Sequence, residues 1–165
     1  MPRGHFIVVE GGDYGGKTTF VNFLKKVRPD WVYSREPGGE GVSQMVRLVV
    51  LSDDAKDAHV LTKFHLFWAS RAENISKIVR PGVTDGRIVI SDRFDASTYA
   101  YQIGENPELE DLFWLSRDTC LQDITPVYLD FDVSLGVAKE RAKSRLESNH
   151  FDHWDDAQRK RTRSF

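Results

Sequence analysis

Residues 11–18 have the sequence GGDYGGKT and match the phosphate-binding pattern G-x-x-x-x-G-K-[ST]. Glycines allow such a loop to curl until several backbone N–H groups point at one phosphate group, and the helix that follows adds the positive end of its dipole. Lys17 would reach the β- and γ-phosphates, and the Thr18 hydroxyl would help to hold Mg²⁺. The pattern therefore predicts that a nucleoside triphosphate is bound with magnesium by Gly11, Gly12, Asp13, Tyr14, Gly15, Gly16, Lys17, Thr18 and Thr19.

This loop alone does not distinguish a GTPase switch, an ATPase motor and a small-molecule kinase. Asp92 and Arg93 directly follow a predicted strand, where an acidic residue can orient the metal and an arginine can touch a transferring phosphate. Phe67 and Arg71 are four residues apart and share one helix face, although Phe67 could belong to the core and Arg71 could pair with Glu73 or Asp92. The candidate residues outside the loop are Arg35, Glu36, Phe67, Arg71, Asp92, Arg93, Thr98, Tyr101 and Gln102.

Short apolar runs that alternate with helical patterns indicate the elements that must position these residues. Strands are predicted at 6–9, 31–33, 87–91 and 127–131, and the continuous apolar run at 6–9 is typical of a strand buried on both faces. Apolar residues at helical spacing predict helices over 18–26, 42–51, 59–79, about 109–115 and 134–145. We expect Pro81 and Gly82 to stop the third of these helices. The alternation predicts a three-layer α/β/α fold with a parallel sheet of about four to five strands, whose carboxyl ends bind the ligands.

The composition is that of one globular domain, expected to span 1–165. The chain has 165 residues, of which 40% are hydrophobic and 29% charged, enough for a sizeable core. Its 23 basic and 25 acidic residues give a formal net charge of −2, so no global cationic field favours nucleic acid as a partner. The single cysteine, Cys120, favours a reducing compartment. Because no apolar run has the length of a signal-peptide core or a membrane span, we expect a cytoplasmic protein with no membrane partner.

Five segments, taken in order along almost the whole chain, resemble the thymidylate kinase family. They are FIVVEG at 6–11, REPGG at 35–39, FWASR at 67–71, DRF at 92–94 and STYAYQ at 97–102. The resemblance implies a P-loop nucleoside monophosphate kinase that transfers the γ-phosphoryl group of ATP to dTMP. The products would be ADP and dTDP, on the route to dTTP. It also implies a homodimer, associated through the helix that carries Leu66 and Trp68.

The resemblance implies a set of contacts to the thymine base and its sugar. Phe67 would stack on the ring through its π face. Arg71 would donate to the thymine O4, and because a guanidinium only donates it would disfavour the exocyclic amine of cytosine. Thr98 and Gln102 would meet the N3 edge, and Tyr101 would lie where a 2′-hydroxyl would project.

The resemblance also implies how the two phosphate chains are held. Asp13 would accept from the 3′-hydroxyl of dTMP, and Thr18 and Asp92 would serve the metal. No general base is needed, because the acceptor phosphate, with a second pKa of about 6, is largely ionised near neutral pH. Lys17, Mg²⁺, Arg93 and a mobile arginine would neutralise the transferring charge. The residues expected around the acceptor phosphate are Glu36, Pro37, Arg47 and Arg93.

Two features depart from the family pattern. Tyr14 stands where one branch of the family carries its mobile arginine in the P-loop. The other branch supplies that arginine from a lid after the fourth strand, so we expect Arg141 or Arg145 to act from a lid over about 139–153. The strand and helix with which family members usually end are expected to be missing.

Two other functions remain open on the residues alone. A deoxynucleoside kinase acting on thymidine would share the P-loop and would use Glu36 as a base on the 5′-hydroxyl. Gly38, Gly39 and the acidic Asp13 favour the monophosphate enzyme instead. A catalytically weak nucleotide-binding protein is the second alternative, and turnover of dTMP distinguishes it.

Overall fold

Four parallel strands form one sheet in residues 3–143, the part of the chain that this computed structural model describes. The strands are β1 (His5–Gly11), β2 (Val32–Arg35), β3 (Ile88–Asp92) and β4 (Pro126–Phe131). Their order in the sheet is β2-β3-β1-β4, which confirms the predicted α/β class. Val9 is paired with Asp92, and Asp92 is paired with Arg35. The carboxyl ends of three neighbouring strands therefore meet at one edge of the sheet.

Helices connect these strands and cover the sheet. They are α1 (Lys17–Val27), α2 (Gly41–Val50), α3 (Val60–Asn74), α4 (Arg80–Thr84), α5 (Asp95–Thr98), α6 (Glu110–Leu121) and α7 (Leu135–Lys143). Short 3₁₀ turns occur at Asp53–Ala55 and Pro107–Leu109, and π-helical turns at Ile75–Val79 and Tyr99–Ile103. None of the helices described between residues 3 and 143 is long and apolar enough to cross a membrane.

The prediction that the third helix stops at Pro81 and Gly82 is wrong. Helix α3 runs through the π-helical turn Ile75–Val79 into α4, which ends at Thr84. Pro81 lies in the first turn of α4, where its missing N–H is tolerated. Gly82 allows close contact with β3, since a Cβ there would lie 2.6 Å from Val89 Cγ2. Both residues therefore shape the packing of helix on sheet instead of ending the helix.

The two central strands of the sheet, β1 and β3, are buried on both faces. Val8 and Val9 point to opposite sides of β1 and both are fully buried. On one side Val8 belongs to a cluster with Val79 and Val83, and on the other side Val9 packs with Val21 of α1. This double burial explains why residues 6–9 of β1 are a continuous apolar run in the sequence.

A third apolar cluster joins α3 to α6 and corrects the expectation for Trp68. The Trp68 side chain is only 6% exposed, and its ring packs edge-on against Phe113 with centroids 5.6 Å apart. Trp68 therefore packs in the core of its own chain and leaves little surface for the expected subunit contact. Leu66 on the same helix is half-buried.

Candidate functional site

The glycine-rich loop lies between β1 and α1, as its sequence predicts. Gly11 has a φ of +125°, and a Cβ there would lie 2.3 Å from the carbonyl oxygen of Phe131 on β4, so only glycine fits. Lys17 opens α1 and donates from Nζ to the carbonyl oxygens of Gly11 (2.9 Å) and Gly12 (2.7 Å). The lysine therefore braces the loop while its ammonium group stays at the loop's inner surface. Burial, with the Arg93 cation nearby, lowers the pKa of Lys17 to about 8.

One hydroxyl and one carboxylate meet beside this loop. The Thr18 hydroxyl donates to Asp92 Oδ2 at 3.0 Å, across the gap between α1 and the end of β3. Both side chains present oxygen atoms, the ligand type that Mg²⁺ prefers. Within residues 3–143 no group of three metal-ligating side chains occurs. Thr18 and Asp92 could therefore supply only part of a coordination shell, with phosphate oxygens and water as the rest.

A groove joins the loop to a second, more apolar cavity. The groove is bordered by Lys17, Thr18, Arg35, Asp92, Arg93 and Arg141. The adjoining cavity is lined by Asp13, Glu36, Pro37, Arg47, Leu51, Phe67, Arg71, Arg93, Phe94, Ser97, Thr98, Tyr101 and Gln102. Asp13, Glu36, Arg47 and Arg93 border both, so the two spaces adjoin. All ten residues predicted to bind the second ligand line this one cavity.

Arg71 is buried in the wall of the cavity at 1% exposure. Its Nε donates to Glu36 Oε2 at 2.7 Å, and its Nη2 donates to the Phe94 carbonyl oxygen (2.9 Å) and to Thr98 Oγ1 (3.0 Å). The guanidinium carbon lies 4.4 Å from the centre of the Trp68 ring. In the described part of the chain, Nη1 has no hydrogen-bond partner. Because the carboxylate that pairs with Arg71 is that of Glu36, the alternative pairing with Glu73 or Asp92 is wrong.

Gln102 is the second buried polar group of this wall that lacks partners. Its side chain is 7% exposed, and neither its amide nitrogen nor its amide oxygen is hydrogen-bonded within residues 3–143. Buried polar groups are normally satisfied, so two such groups in one cavity point to a polar ligand. An arginine donor beside an amide with both a donor and an acceptor matches the edge of a heterocyclic base.

Asp13 links the loop to the cavity. Its Oδ1 accepts from Arg93 Nη2, and its Oδ2 accepts from the Tyr101 hydroxyl at 3.1 Å. Arg93 has a left-handed backbone with a φ of 71°, which is uncommon for a residue with a long side chain. This conformation turns the arginine from the end of β3 towards Asp13. Asp13, Arg93 and Tyr101 therefore lie where the groove meets the cavity.

Two more cations border the groove. Arg47 of α2 donates to the carbonyl oxygen of Pro37 at 2.5 Å, and burial, with Arg35 nearby, lowers its pKa to about 10. Arg141 of α7 donates to the carbonyl oxygen of Tyr14 at 2.9 Å, which brings one predicted lid arginine onto the loop. The other predicted lid arginine, Arg145, and most of the predicted lid over 139–153 lie outside the described residues.

Sequence reasoning missed Glu10, which lies beneath the site at 2% exposure. Its Oε1 accepts from the backbone N–H groups of Phe94 (2.7 Å) and Ser97 (3.1 Å), and its Oε2 accepts from the Ser97 hydroxyl (2.8 Å). Burial raises the pKa of this carboxyl. Glu10 thus ties the end of β1 to α5. The sequence does contain a signal for Glu10, which is a lone carboxylate between an apolar strand and the loop. A carboxylate buried at such a position must be paired, so Glu10 could have been predicted to hold a neighbouring segment.

A parallel sheet whose first strand leads through a phosphate-binding loop into a helix defines a P-loop nucleotide-binding protein. The family model described as thymidylate kinase matches residues 9–165. A thymidylate kinase from Ruthia magnifica subsp. Calyptogena magnifica is 34% identical over 92% of this chain and 80% of its own length. One from Mycoplasma capricolum is 37% identical over 87% of this chain and 70% of its own length.

A solved structure gives the same result. The crystal structure of thymidylate kinase from Ehrlichia chaffeensis has a TM-score of 0.70 and 31% sequence identity, and covers 85% of this chain and 77% of that chain. The chain belongs to the thymidylate kinase family.

Proposed function

We propose that this protein is a nucleoside monophosphate kinase that transfers the γ-phosphoryl group of ATP to dTMP, yielding ADP and dTDP for dTTP synthesis. One observation carries the proposal beyond the family. Next to the P-loop lies a cavity whose wall holds the unpartnered Arg71 Nη1 and the unpartnered amide of Gln102. A pyrimidine with a carbonyl at position 4 and an N–H at position 3 would satisfy both groups.

The cavity residues would recognise dTMP through contacts of different kinds. Phe67 is half-buried in the cavity wall and would stack on the base. Arg71 Nη1 would donate to O4, and the Gln102 amide, with the Thr98 hydroxyl beside it, would meet the N3 edge. Tyr101, held by Asp13, would lie against the sugar and leave little room for a 2′-hydroxyl.

The acceptor phosphate would lie between cations from two sides of the groove. Arg93 and Arg47 would hold it, with Glu36 and Pro37 shaping that wall. The 3′-hydroxyl would donate to Asp13, whose carboxylate is oriented by Arg93. Catalysis would then be a matter of placing an ionised phosphate oxygen in line with the γ-phosphorus of ATP. No general base is required, because the acceptor oxygen carries no proton that must be removed.

The donor triphosphate would be bound by residues 11–19, with Lys17 at its β- and γ-phosphates. Thr18 and Asp92 would hold Mg²⁺, which when bound with ATP neutralises charge on the phosphates. Arg93 would neutralise the transferring group from the acceptor side. Arg141, which already contacts the loop at Tyr14, would do so from α7, and Arg145 would belong to the same lid over about 139–153.

The geometry of Glu36 argues against a kinase that acts on thymidine. Such an enzyme would need Glu36 as a base on the 5′-hydroxyl, but both carboxylate oxygens are hydrogen-bonded, to Arg71 Nε and to Asn74 Nδ2. A carboxylate whose two oxygens serve as structural acceptors is poorly placed to take a proton from a substrate. Glu36 is therefore assigned to positioning Arg71.

We also propose that the protein is a single cytoplasmic domain over 1–165 and forms a homodimer. Support for a dimer comes from α2, where large apolar side chains are exposed: Val42 (55%), Met45 (66%), Leu48 (66%) and Val49 (52%). Contiguous exposed apolar side chains of this kind are typical of subunit contacts. Sedimentation of wild-type protein and of Met45→Glu tests this assignment, with a loss of dimer expected for the variant.

A coupled assay with ATP, Mg²⁺ and a panel of acceptors tests the proposed activity. We expect dTMP to be used with a kcat/KM at least about 100-fold above that for dCMP, because a buried guanidinium cannot donate to an amine. Thymidine should not be phosphorylated. Phosphorylation of thymidine alone, or ATP binding without turnover of any monophosphate, would contradict the proposal.

A further inference from the structure

A row of buried polar side chains leads from Arg71 away from the cavity, beginning with the cavity-lining Glu36. It consists of Ser34 on β2, Asn74 at the end of α3 and Glu36 after β2, which are 8%, 1% and 5% exposed. Asn74 does not line the cavity. Its hydrogen bond to the cavity-lining Glu36 is the contact through which Asn74 would act on a ligand there.

The hydrogen bonds of this row fix the orientation of the Asn74 amide. Asn74 Nδ2 donates to Glu36 Oε1 at 3.0 Å, and the Ser34 hydroxyl donates to Asn74 Oδ1 at 2.6 Å. An ionised carboxylate only accepts, so the amide nitrogen of Asn74 must face Glu36. The Ser34 hydroxyl, which can donate or accept, donates to the amide oxygen in this orientation.

The row in turn fixes the guanidinium of Arg71. Glu36 gives Oε1 to Asn74 and Oε2 to Arg71 Nε, so the carboxylate cannot rotate without breaking one of these bonds. Arg71 Nη2 is held by the Phe94 carbonyl oxygen and Thr98. Nη1 is the guanidinium nitrogen that remains for a ligand. Its direction depends on how the hydrogen bond from Nε to Glu36 orients the guanidinium plane.

We propose that Asn74, supported by Ser34, is a positioning residue that sets the base specificity of the kinase by holding Glu36 and, through Glu36, the guanidinium of Arg71. This inference rests on the proposed function, because it takes the base edge to be what Arg71 Nη1 meets. Without the Asn74 donor, Glu36 loses one of its two side-chain partners. Its carboxylate is then free to rotate towards the guanidinium group of Arg71, which would change the direction of Nη1.

The central test compares Asn74→Leu, which keeps a similar volume but removes the amide, with Val79→Ala as a matched control. Val79 is fully buried in the π-helical turn that follows α3 and does not line the cavity. Both variants should lose stability, but only Asn74→Leu should change the specificity. The measurements are kcat and KM for dTMP and ATP, and the ratio of kcat/KM for dTMP to that for dCMP.

For Asn74→Leu we expect the KM for dTMP to rise about tenfold, the amount typical of a lost hydrogen bond to a charged group. The KM for ATP should stay within about twofold, and the dTMP-to-dCMP ratio should fall by about tenfold. This ratio does not depend on the fraction of protein that is folded. A merely structural role of Asn74 would lower both kcat/KM values equally and leave the ratio unchanged, as we expect for Val79→Ala.

A double-mutant cycle adds a second readout. If Asn74 acts through Glu36, then Asn74→Leu should have little further effect on the dTMP-to-dCMP ratio once Glu36→Ala is present. Ser34→Ala should change the ratio in the same direction as Asn74→Leu, but by less. Full additivity of Asn74→Leu and Glu36→Ala would overturn the proposal.

Measurements on the wild-type protein distinguish failure of this inference from failure of the proposed function. If the wild-type protein does not phosphorylate dTMP, the proposed function is wrong and with it the premise of the inference. If the wild type prefers dTMP and Asn74→Leu keeps the wild-type preference, only the positioning role is overturned.

Discussion

The ion pair between Arg71 and Glu36 gives a prediction for stability that can be worked out from the structure. The Nε to Oε2 distance is 2.7 Å, and the two side chains are only 2% and 3% exposed. Replacing Arg71 with methionine leaves a buried carboxylate with Asn74 as its remaining side-chain donor. Breaking a buried pair on one side costs about 3–5 kcal/mol. This is a large part of the roughly 5–15 kcal/mol that stabilises a typical domain.

The loss of stability in Arg71→Met should depend on pH. The protonation of Glu36 determines whether the loss grows or shrinks as the pH rises. Burial raises the pKa of this carboxyl, and the Arg71 cation opposes that rise. In Arg71→Met the folded-state pKa of Glu36 should therefore lie still further above its unfolded value. A carboxyl with a raised folded pKa stabilises the fold at low pH, and this contribution is lost as the pH rises through the folded pKa. We expect Arg71→Met to be least destabilised near pH 5.5 and most destabilised near pH 8.5.

Urea unfolding followed by circular dichroism at three pH values measures the free energy of unfolding. Arg80→Met is a matched control, because Arg80 pairs at 2.9 Å with Asp123, which is 59% exposed. The control should lose less than about 1 kcal/mol. Adding Glu36→Gln to Arg71→Met should remove most of the pH dependence, since the buried charge is gone. A loss for Arg71→Met no larger than that of the control at every pH would refute this account of Arg71.

Three further predictions concern Lys17 of the P-loop and Asp92 beside it. Lys17→Met should lower kcat by about 100-fold or more with little change in circular dichroism, because it removes a cation aimed at the transferring phosphate; undiminished activity would contradict this role. Since burial lowers the pKa of Lys17 to about 8, ATP affinity measured by calorimetry should fall between pH 7 and 9 in the wild type. In Lys17→Arg that pH dependence should be absent, and an equal slope in both proteins would assign it to another group. Asp92→Asn should raise the Mg²⁺ concentration needed for half-maximal activity by about tenfold with unchanged KM for dTMP, whereas an unchanged Mg²⁺ requirement would exclude Asp92 from the metal site.

Much of the site could be predicted because its residues lie in short segments next to strand ends or, like Phe67 and Arg71, share one helix face. The run at 6–9 and the loop at 11–18 have local signals, apolar continuity and glycine spacing, that do not depend on distant contacts. The prediction that Phe67, Arg71 and Gln102 converge followed from the meeting of parallel strands at one edge. The structure brings these three residues into one cavity.

The remaining features depend on contacts between distant parts of the chain. Arg71 pairs with Glu36, which is 35 residues away in the sequence. No local pattern could show that Arg71 pairs with Glu36 and not with the nearby Glu73. The helix passes Pro81 because a π-helical turn precedes it and because Gly82 packs on β3. Trp68 has the same apolar character on a subunit contact as in a core, so the sequence could not decide its place.

A crystal structure with dTMP and a nonhydrolysable ATP analogue tests most directly whether the groove and the cavity hold donor and acceptor. We expect the triphosphate on residues 11–19, the thymine ring against Phe67 with its O4 on Arg71 Nη1, and the dTMP phosphate beside Arg93. A thymine bound outside this cavity, or an Arg71 that keeps Nη1 away from the base, would contradict the account.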